Sequence, residues 1–308
     1  MKVKKNTMNK ASYKFKHNIS KELSPVIKKY TQLLYKKGLS DNTITHYRCH
    51  INRLATFCNV EPDKLTIKNF DKYIEYITFV KQYSPDYINQ LISSAYLYYT
   101  YILKIKFDKE LYSRRKKKNK LHHYLTYEEF ILIGKQINDF RTKVIMWLCY
   151  DAGLRAQEAI NITLDCLDFD TMTIKIIDSK NNKSRLAKMS PMIHKYLTTY
   201  INKYRPFENR PNSNYLFRSF DKNRPIYYSN VEERFRTAVN QAGLGNLHIS
   251  LHTLRHAYVT MLYENGVAPD HIQKVMGHCS ISTTMNYIVQ SPSFMDSLPS
   301  HHSPTTKK

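Results

Sequence analysis

Four short segments of this 308-residue chain carry side chains suited to chemistry on a phosphodiester: Gly153-Leu154-Arg155, His252-Thr253-Leu254-Arg255, Gly277-His278 and Tyr287. Arginine clamps a phosphate with two parallel charged hydrogen bonds. Histidine moves a proton near neutral pH. Tyrosine can attack phosphorus and hold the product covalently. The spacing gives the set its weight: Arg255 lies three residues after His252, and Tyr287 nine after His278. Negative charge on the non-bridging oxygens of a phosphoryl-transfer transition state calls for preorganised cations. Arg155 and Arg255 are the candidates for that clamp. An isolated arginine on a helix more often makes a surface ion pair, and a lone histidine is more often structural. The ordered set outweighs both readings here.

The elements around these residues can be read from their patterning. Ile27, Tyr30, Leu33 and Leu34 recur at helical spacing, Gly38 stops that helix, and Ser40 or Asp41 caps the next. Ile44, Tyr47, Ile51, Leu54 and Phe57 form a second apolar stripe, and residues 66–80 and 84–105 two further helices, the last opened by Pro85. These make a four-helix N-terminal domain over residues 22–112. A run from Arg114 to Lys120 with six basic residues in seven marks a solvated linker, 113–123. Thr126 and Glu129 form a capping-box pattern at the start of a second domain, 124–290. Residues 143–150 read as a buried helix ending near Gly153. Residues 172–178 and 185–189 alternate as two strands joined at Asn181-Asn182. Helices follow over 191–204, 230–243, 252–266, 269–276 and 282–287. The fold class is mainly α, with a small antiparallel sheet in the second domain.

That layout assigns positions to the chemistry. His252 and Arg255, three apart on one helix, face one way, and the adjacent His256 points elsewhere. Gly277 permits a tight corner before His278. The hairpin tip holds Lys180 and Lys183, either of which can reach a groove and protonate a leaving 5′ oxygen. Tyr258 and Tyr263 read as core. Glu158, three residues after Arg155, reads equally as a salt-bridge partner that orients a catalytic side chain and as ordinary surface.

Composition narrows the partners. Lys and Arg number 48 against 25 Asp and Glu, a net charge of +23 with a pI near 9.6, which needs a polyanionic partner to offset it. Nucleic acid is the first candidate and an anionic membrane surface the second. No run of 18 apolar residues and no signal-peptide pattern is visible, so a cytoplasmic location is expected. The five cysteines (Cys49, Cys58, Cys149, Cys166, Cys279) show no Cys-x-x-Cys pairing and read as free thiols. No acidic constellation implies a metal, and no cofactor is expected. Residues 1–21, with seven lysines and no acid, read as disordered, and 291–308 as a short polar tail.

The chain resembles the tyrosine recombinases of the phage-integrase class over roughly residues 22–290. An arginine in Gly-Leu-Arg, a hairpin lysine, a His-x-x-Arg pair, a Gly-His and a late tyrosine occur in the family's order. The resemblance implies the catalytic set Arg155, Lys180, His252, Arg255, His278 and Tyr287, with Lys180 favoured over Lys183. His252 would contact phosphate and transfer a proton, and His278 would bond the scissile phosphate from the other side. Residues 22–112 would be the core-binding half of a clamp on double-stranded DNA. Tyr287 would form a 3′-phosphotyrosine, and four protomers would exchange strands between two sites through a Holliday junction, with an accessory DNA-bending protein as a possible partner. Two other readings stand beside this one: a type IB topoisomerase, which rejoins the same strand, and a non-catalytic DNA-binding protein.

Overall fold

The computed structural model describes residues 24–112, 115, 123–177, 184–207, 213–220, 223–289 and 294. The basic N-terminus, most of the linker, the hairpin tip with Lys180 and Lys183, and nearly all of the tail lie outside them. The chain divides into two compact units, 1–119 and 120–308.

Among its described residues, the first unit is built from helices and their connections. Its helices are α1 (Pro25–Lys36), α2 (Asp41–Cys58), α3 (Ile67–Glu75) and α4 (Pro85–Tyr98), and the last two run on through wider π-type turns to Val80 and Leu103. Their starts follow from local chemistry. Ser40 and Ser84 each accept a backbone N–H of the first turn, and Thr66 and Asn69 form a reciprocal capping box. Proline opens α1 and α4, where its missing N–H costs nothing. Ile27, Leu34, Ile51, Leu54, Phe70 and Leu91 are buried together with Tyr30, Tyr98 and Tyr99. Each of those tyrosines spends its hydroxyl on a backbone carbonyl: Tyr30 on Ser94, Tyr98 on Pro62 and Tyr99 on Thr66, at 2.8–2.9 Å. A buried phenol therefore adds apolar area without stranding a polar group. Phe57 departs from the expected stripe. It is exposed, with its ring stacked on Tyr76 at 4.6 Å, while the next residue, Cys58, packs on the core.

The second unit begins with α5 (Tyr127–Gln136), whose Thr126–Glu129 capping box forms as read. Next come α6 (Phe140–Asp151) and the short α7 (Ala156–Ile160). Val144 through Cys149 are all buried, so α6 runs through the core as a helix apolar on every side. The sheet has one strand more than expected: β1 (Leu167–Asp168), β2 (Thr173–Ile177) and β3 (Ser184–Lys188), antiparallel in that order. Two residues of β1 are too few to show any alternation, which hid it from pattern reading. In the β2–β3 register Ile174 lies opposite Ala187 and Ile176 opposite Arg185, so Arg185 occupies an inward position.

Helices α8 (Pro191–Thr199), α9 (Tyr228–Gln241), α10 (Leu251–Glu264), α11 (Pro269–Met276) and α12 (Ile281–Ile288) complete the unit. Val259, Ile272, Met276 and Ile288 form a separate small core that holds α11 and α12 to α10. All five cysteines are unbridged. No helix among the described residues is long and apolar enough to cross a membrane.

Candidate active site

A carboxylate, not a free arginine clamp, sits at the centre of the residues singled out. Glu158 on α7 reaches back to the Arg155 backbone N–H at 2.8 Å and accepts from Arg155 Nη1 at 2.7 Å. Arg185 on β3 meets the same carboxylate fork to fork, with Nη1 at 3.0 Å from Oε1 and Nη2 at 2.7 Å from Oε2. Arg255 Nη1 lies 3.6 Å from Oε2. Three guanidinium groups thus converge on one carboxylate. Burial alone would raise the Glu158 carboxyl; hydrogen bonds and charge from Arg185, then the bonds from Arg155, hold it down at about 2. Of the two readings left open for Glu158, the salt-bridge reading matches the geometry.

Arg185 was not singled out from sequence, although its signal was present. An arginine at an inward register position of a strand must find a partner or pay heavily for desolvation. Its Cδ packs 3.4 Å from where a Cβ on Gly277 would stand, so β3 also abuts the Gly-His corner.

Arg255 is buried to 2 % exposure. Nη1 donates to the Gly153 carbonyl and Nη2 to that of Met276, at 2.6 Å for the latter. Met276 ends α11, so one guanidinium satisfies a helix-end carbonyl and the corner before Arg155 at once. Burial and the Arg155 charge lower its guanidinium to about 9, against the pull of Glu158, which leaves it cationic at neutral pH. Arg155 remains 40 % exposed, so it presents the open edge of the cluster.

Gly153 and Gly277 make the corners. Their φ values are +63° and +64°, a region that side-chain-bearing residues rarely enter. A Cβ on Gly153 would come within 2.3 Å of Tyr258 Cδ1. Gly153→Ala is therefore expected to lower the thermal midpoint by about 5 °C or more through combined strain and overpacking. A calorimetric midpoint equal to that of the unchanged protein would show that Tyr258 yields freely.

The histidines and Tyr287 line up beside this cluster. His252 is exposed on α10, and the buried Arg255 turns inward on the same helix. His278 follows Gly277, and its Nδ1 lies 2.9 Å from the buried Thr284 hydroxyl. Burial, then Arg255, Arg155 and Arg185, lower its imidazole to about 4, so it is neutral at physiological pH. Tyr287 on α12 is half-buried, with its ring 6.2 Å from that of His278. Burial raises its phenol, and Arg255 and Arg155 oppose the rise. His256 does not point away from the site. It stacks on Tyr287 and meets His252 edge-on. It does turn away from its neighbour Arg255, but it sits one helical turn from His252, where α12 crosses α10.

Arg155, His252, Arg255, His278 and Tyr287 thus lie in one compact unit, and Lys180 falls outside the described residues. Among the described residues, no three His, Cys, Asp or Glu side chains group so as to hold a metal ion.

Residues 115–293 match the phage integrase family, and residues 27–109 match the N-terminal SAM-like domain of phage integrases. The chain belongs to the phage integrase family. It is a recombinase of the tyrosine type. A probable integrase/recombinase of Acholeplasma phage L2 is 31 % identical over 151 residues, about half the length of each protein. The tyrosine recombinase XerD of Staphylococcus haemolyticus is 27 % identical over 284 residues, covering 86 % of this chain and 94 % of XerD. Among solved structures, a lambda integrase dimer bound to a core site superposes with a TM-score of 0.65 at 15 % identity, covering 88 % of this chain and 96 % of that one. At that identity the likeness concerns the fold alone, and it places this chain in the mainly helical class with a small antiparallel sheet.

Proposed function

We propose that this recombinase cuts and rejoins double-stranded DNA at specific sites with Tyr287 as nucleophile. The Tyr287 oxygen attacks phosphorus, the bond from phosphorus to the 5′ oxygen breaks, and a 3′-phosphotyrosine and a free 5′ hydroxyl result. The phenolic proton passes to His252, and Lys180 supplies a proton to the leaving oxygen. The energy of the broken ester is kept, so a 5′ hydroxyl from the partner duplex can reverse the step without ATP. Two rounds of exchange in a tetramer on two duplexes pass through a Holliday junction. The observation that carries the reading is the placement of Tyr287 beside His278, with its phenol under the influence of Arg255 and Arg155. Arg155 offers its exposed edge to the phosphate. A Thr284 hydroxyl donating to His278 Nδ1 leaves the imidazole hydrogen on Nε2, where it can bond a phosphate oxygen. Residues 22–112 and 124–290 serve as the two halves of the clamp, with the basic stretch 113–123 between them.

The test is a protein–DNA adduct that survives denaturant, sought on nicked fragments of the DNA flanking the gene. An adduct followed by exchange between two sites is the expected result. Relaxation of supercoils without exchange would favour the topoisomerase reading, and tight site-selective binding with no adduct would leave a non-catalytic DNA-binding protein.

Net charge of +23 adds a second expectation. A clamp that neutralises six to ten phosphates should lose roughly 10³–10⁵ in affinity between about 50 and 200 mM salt, as counterions are released. Fluorescence anisotropy on a labelled duplex measures the slope, and a flat response would sink the extended clamp.

A further inference from the structure

We propose that His256 is a positioning residue that holds the Tyr287 ring in its attacking orientation; the inference rests on the strand-cleavage reading above. The two rings lie 3.8 Å apart between centroids with their planes 30° from parallel, a stacked pair. His256 also meets the ring of His252 edge-on at 4.4 Å and 70°. The imidazole therefore touches both the nucleophile and the exposed His252, one helical turn from the latter.

The need for such a platform follows from the local architecture. Helix α12 has only eight residues, and its buried anchors are Thr284 and Ile288. Thr284 is already bonded to His278. Two side-chain torsions separate the Tyr287 oxygen from the backbone, so the ring can swing unless a neighbour fixes its plane. His123, Tyr124 and Thr260 line a small cleft beside His256 and Tyr287, so the ring is not packed on every side. A flat, polarisable ring on a rigid mid-helix position of α10 removes the freedom at little entropic cost. Misplacing a reacting atom by about 1 Å can cost on the order of 100-fold in rate.

The experiment compares His256→Leu, His256→Phe and the unchanged protein in single-turnover cleavage of a nicked duplex carrying the cleavage site. DNA affinity and thermal midpoint are measured alongside. Leucine fills the volume without a ring face, and phenylalanine restores the face. Cleavage by His256→Leu should fall roughly 10- to 100-fold at unchanged DNA affinity, and His256→Phe should return to within about threefold of the original rate. Equal rates in all three proteins would overturn the inference. So would equal cleavage by the Leu and Phe variants, which would mean that His256 only fills space. Absence of an adduct with the unchanged protein would overturn the strand-cleavage reading and this inference with it, whereas adduct formation indifferent to His256 removes this inference alone.

Discussion

Tyr287→Phe should abolish the denaturant-stable DNA adduct, with cleavage falling by at least roughly 10⁴-fold, and should leave DNA affinity and the thermal midpoint nearly unchanged. The substitution removes one oxygen and keeps the ring. Stacking on His256 and the neighbouring Ile288 anchor both survive it. Loss of the hydroxyl is cheap in stability because Tyr287 is only half-buried and its ring contacts remain. The neighbouring tyrosines are engaged elsewhere: Tyr124, across the small cleft, donates its hydroxyl to Glu264 at 3.2 Å. Tyr258 is buried with its phenol raised in turn, and Tyr263 packs into the small core around Val259 and Ile272. Gel analysis of adducts, with anisotropy and calorimetry on the same preparations, checks all three quantities. Adduct at the original level would place the nucleophile elsewhere, and a collapse of DNA binding would make Tyr287 a structural residue.

Glu158→Ala should have the next largest effect, and its size should depend on DNA. Removing the carboxylate leaves Arg155, Arg185 and the buried Arg255 facing one another without an anion. Truncating one member of a buried ion cluster costs about 3 kcal/mol or more, since the remaining charges stay desolvated. A midpoint drop of roughly 10 °C in the free protein follows for a unit of this size. A DNA phosphate can supply the missing negative charge, so bound DNA should restore part of the loss. Cleavage should still fall, because Arg155 is no longer held. The pH dependence points the same way. The Glu158 carboxyl is depressed in the folded chain, from an ordinary value near 4.5 to about 2. Its contribution is therefore fully present above about pH 4.5 and is lost as pH falls toward 2. Calorimetry between pH 3 and 7 should show the midpoint of the unchanged protein falling steeply below about 4.5 and that of the Ala variant falling less. Parallel curves would show that Glu158 is not the group responsible.

The sequence was most legible where one residue type answers one local need. The Thr126–Glu129 capping box, the proline at the start of α4, the buried α6 and the glycine corners at Gly153 and Gly277 each follow from residues close by in the chain. The order of Arg155, His252, Arg255, His278 and Tyr287 was likewise readable, since the resemblance lies in spacing. What spacing did not disclose is which side of each helix faces the site. Arg255 turned out to be a buried bridge between two carbonyls, and His256 a ring partner of the tyrosine; both depend on how α12 crosses α10. Arg185 escaped for a similar reason. Its partner Glu158 is 27 positions away, and only the register of β2 on β3 brings it inward.

The double duty of Arg255 bears on how such chains decay. Its guanidinium ties the corner before Arg155 to the end of α11, so lysine, with a single ammonium, cannot span both carbonyls. A lineage released from selection for strand exchange would lose its architecture by mutating Arg255 but keep it by mutating His252, which stands exposed at the rim. Descendants retained only as DNA-binding scaffolds should therefore still carry Arg255. On the proposed mechanism, an intact arginine at this position would testify to a folded unit, and the histidine and tyrosine to a working one.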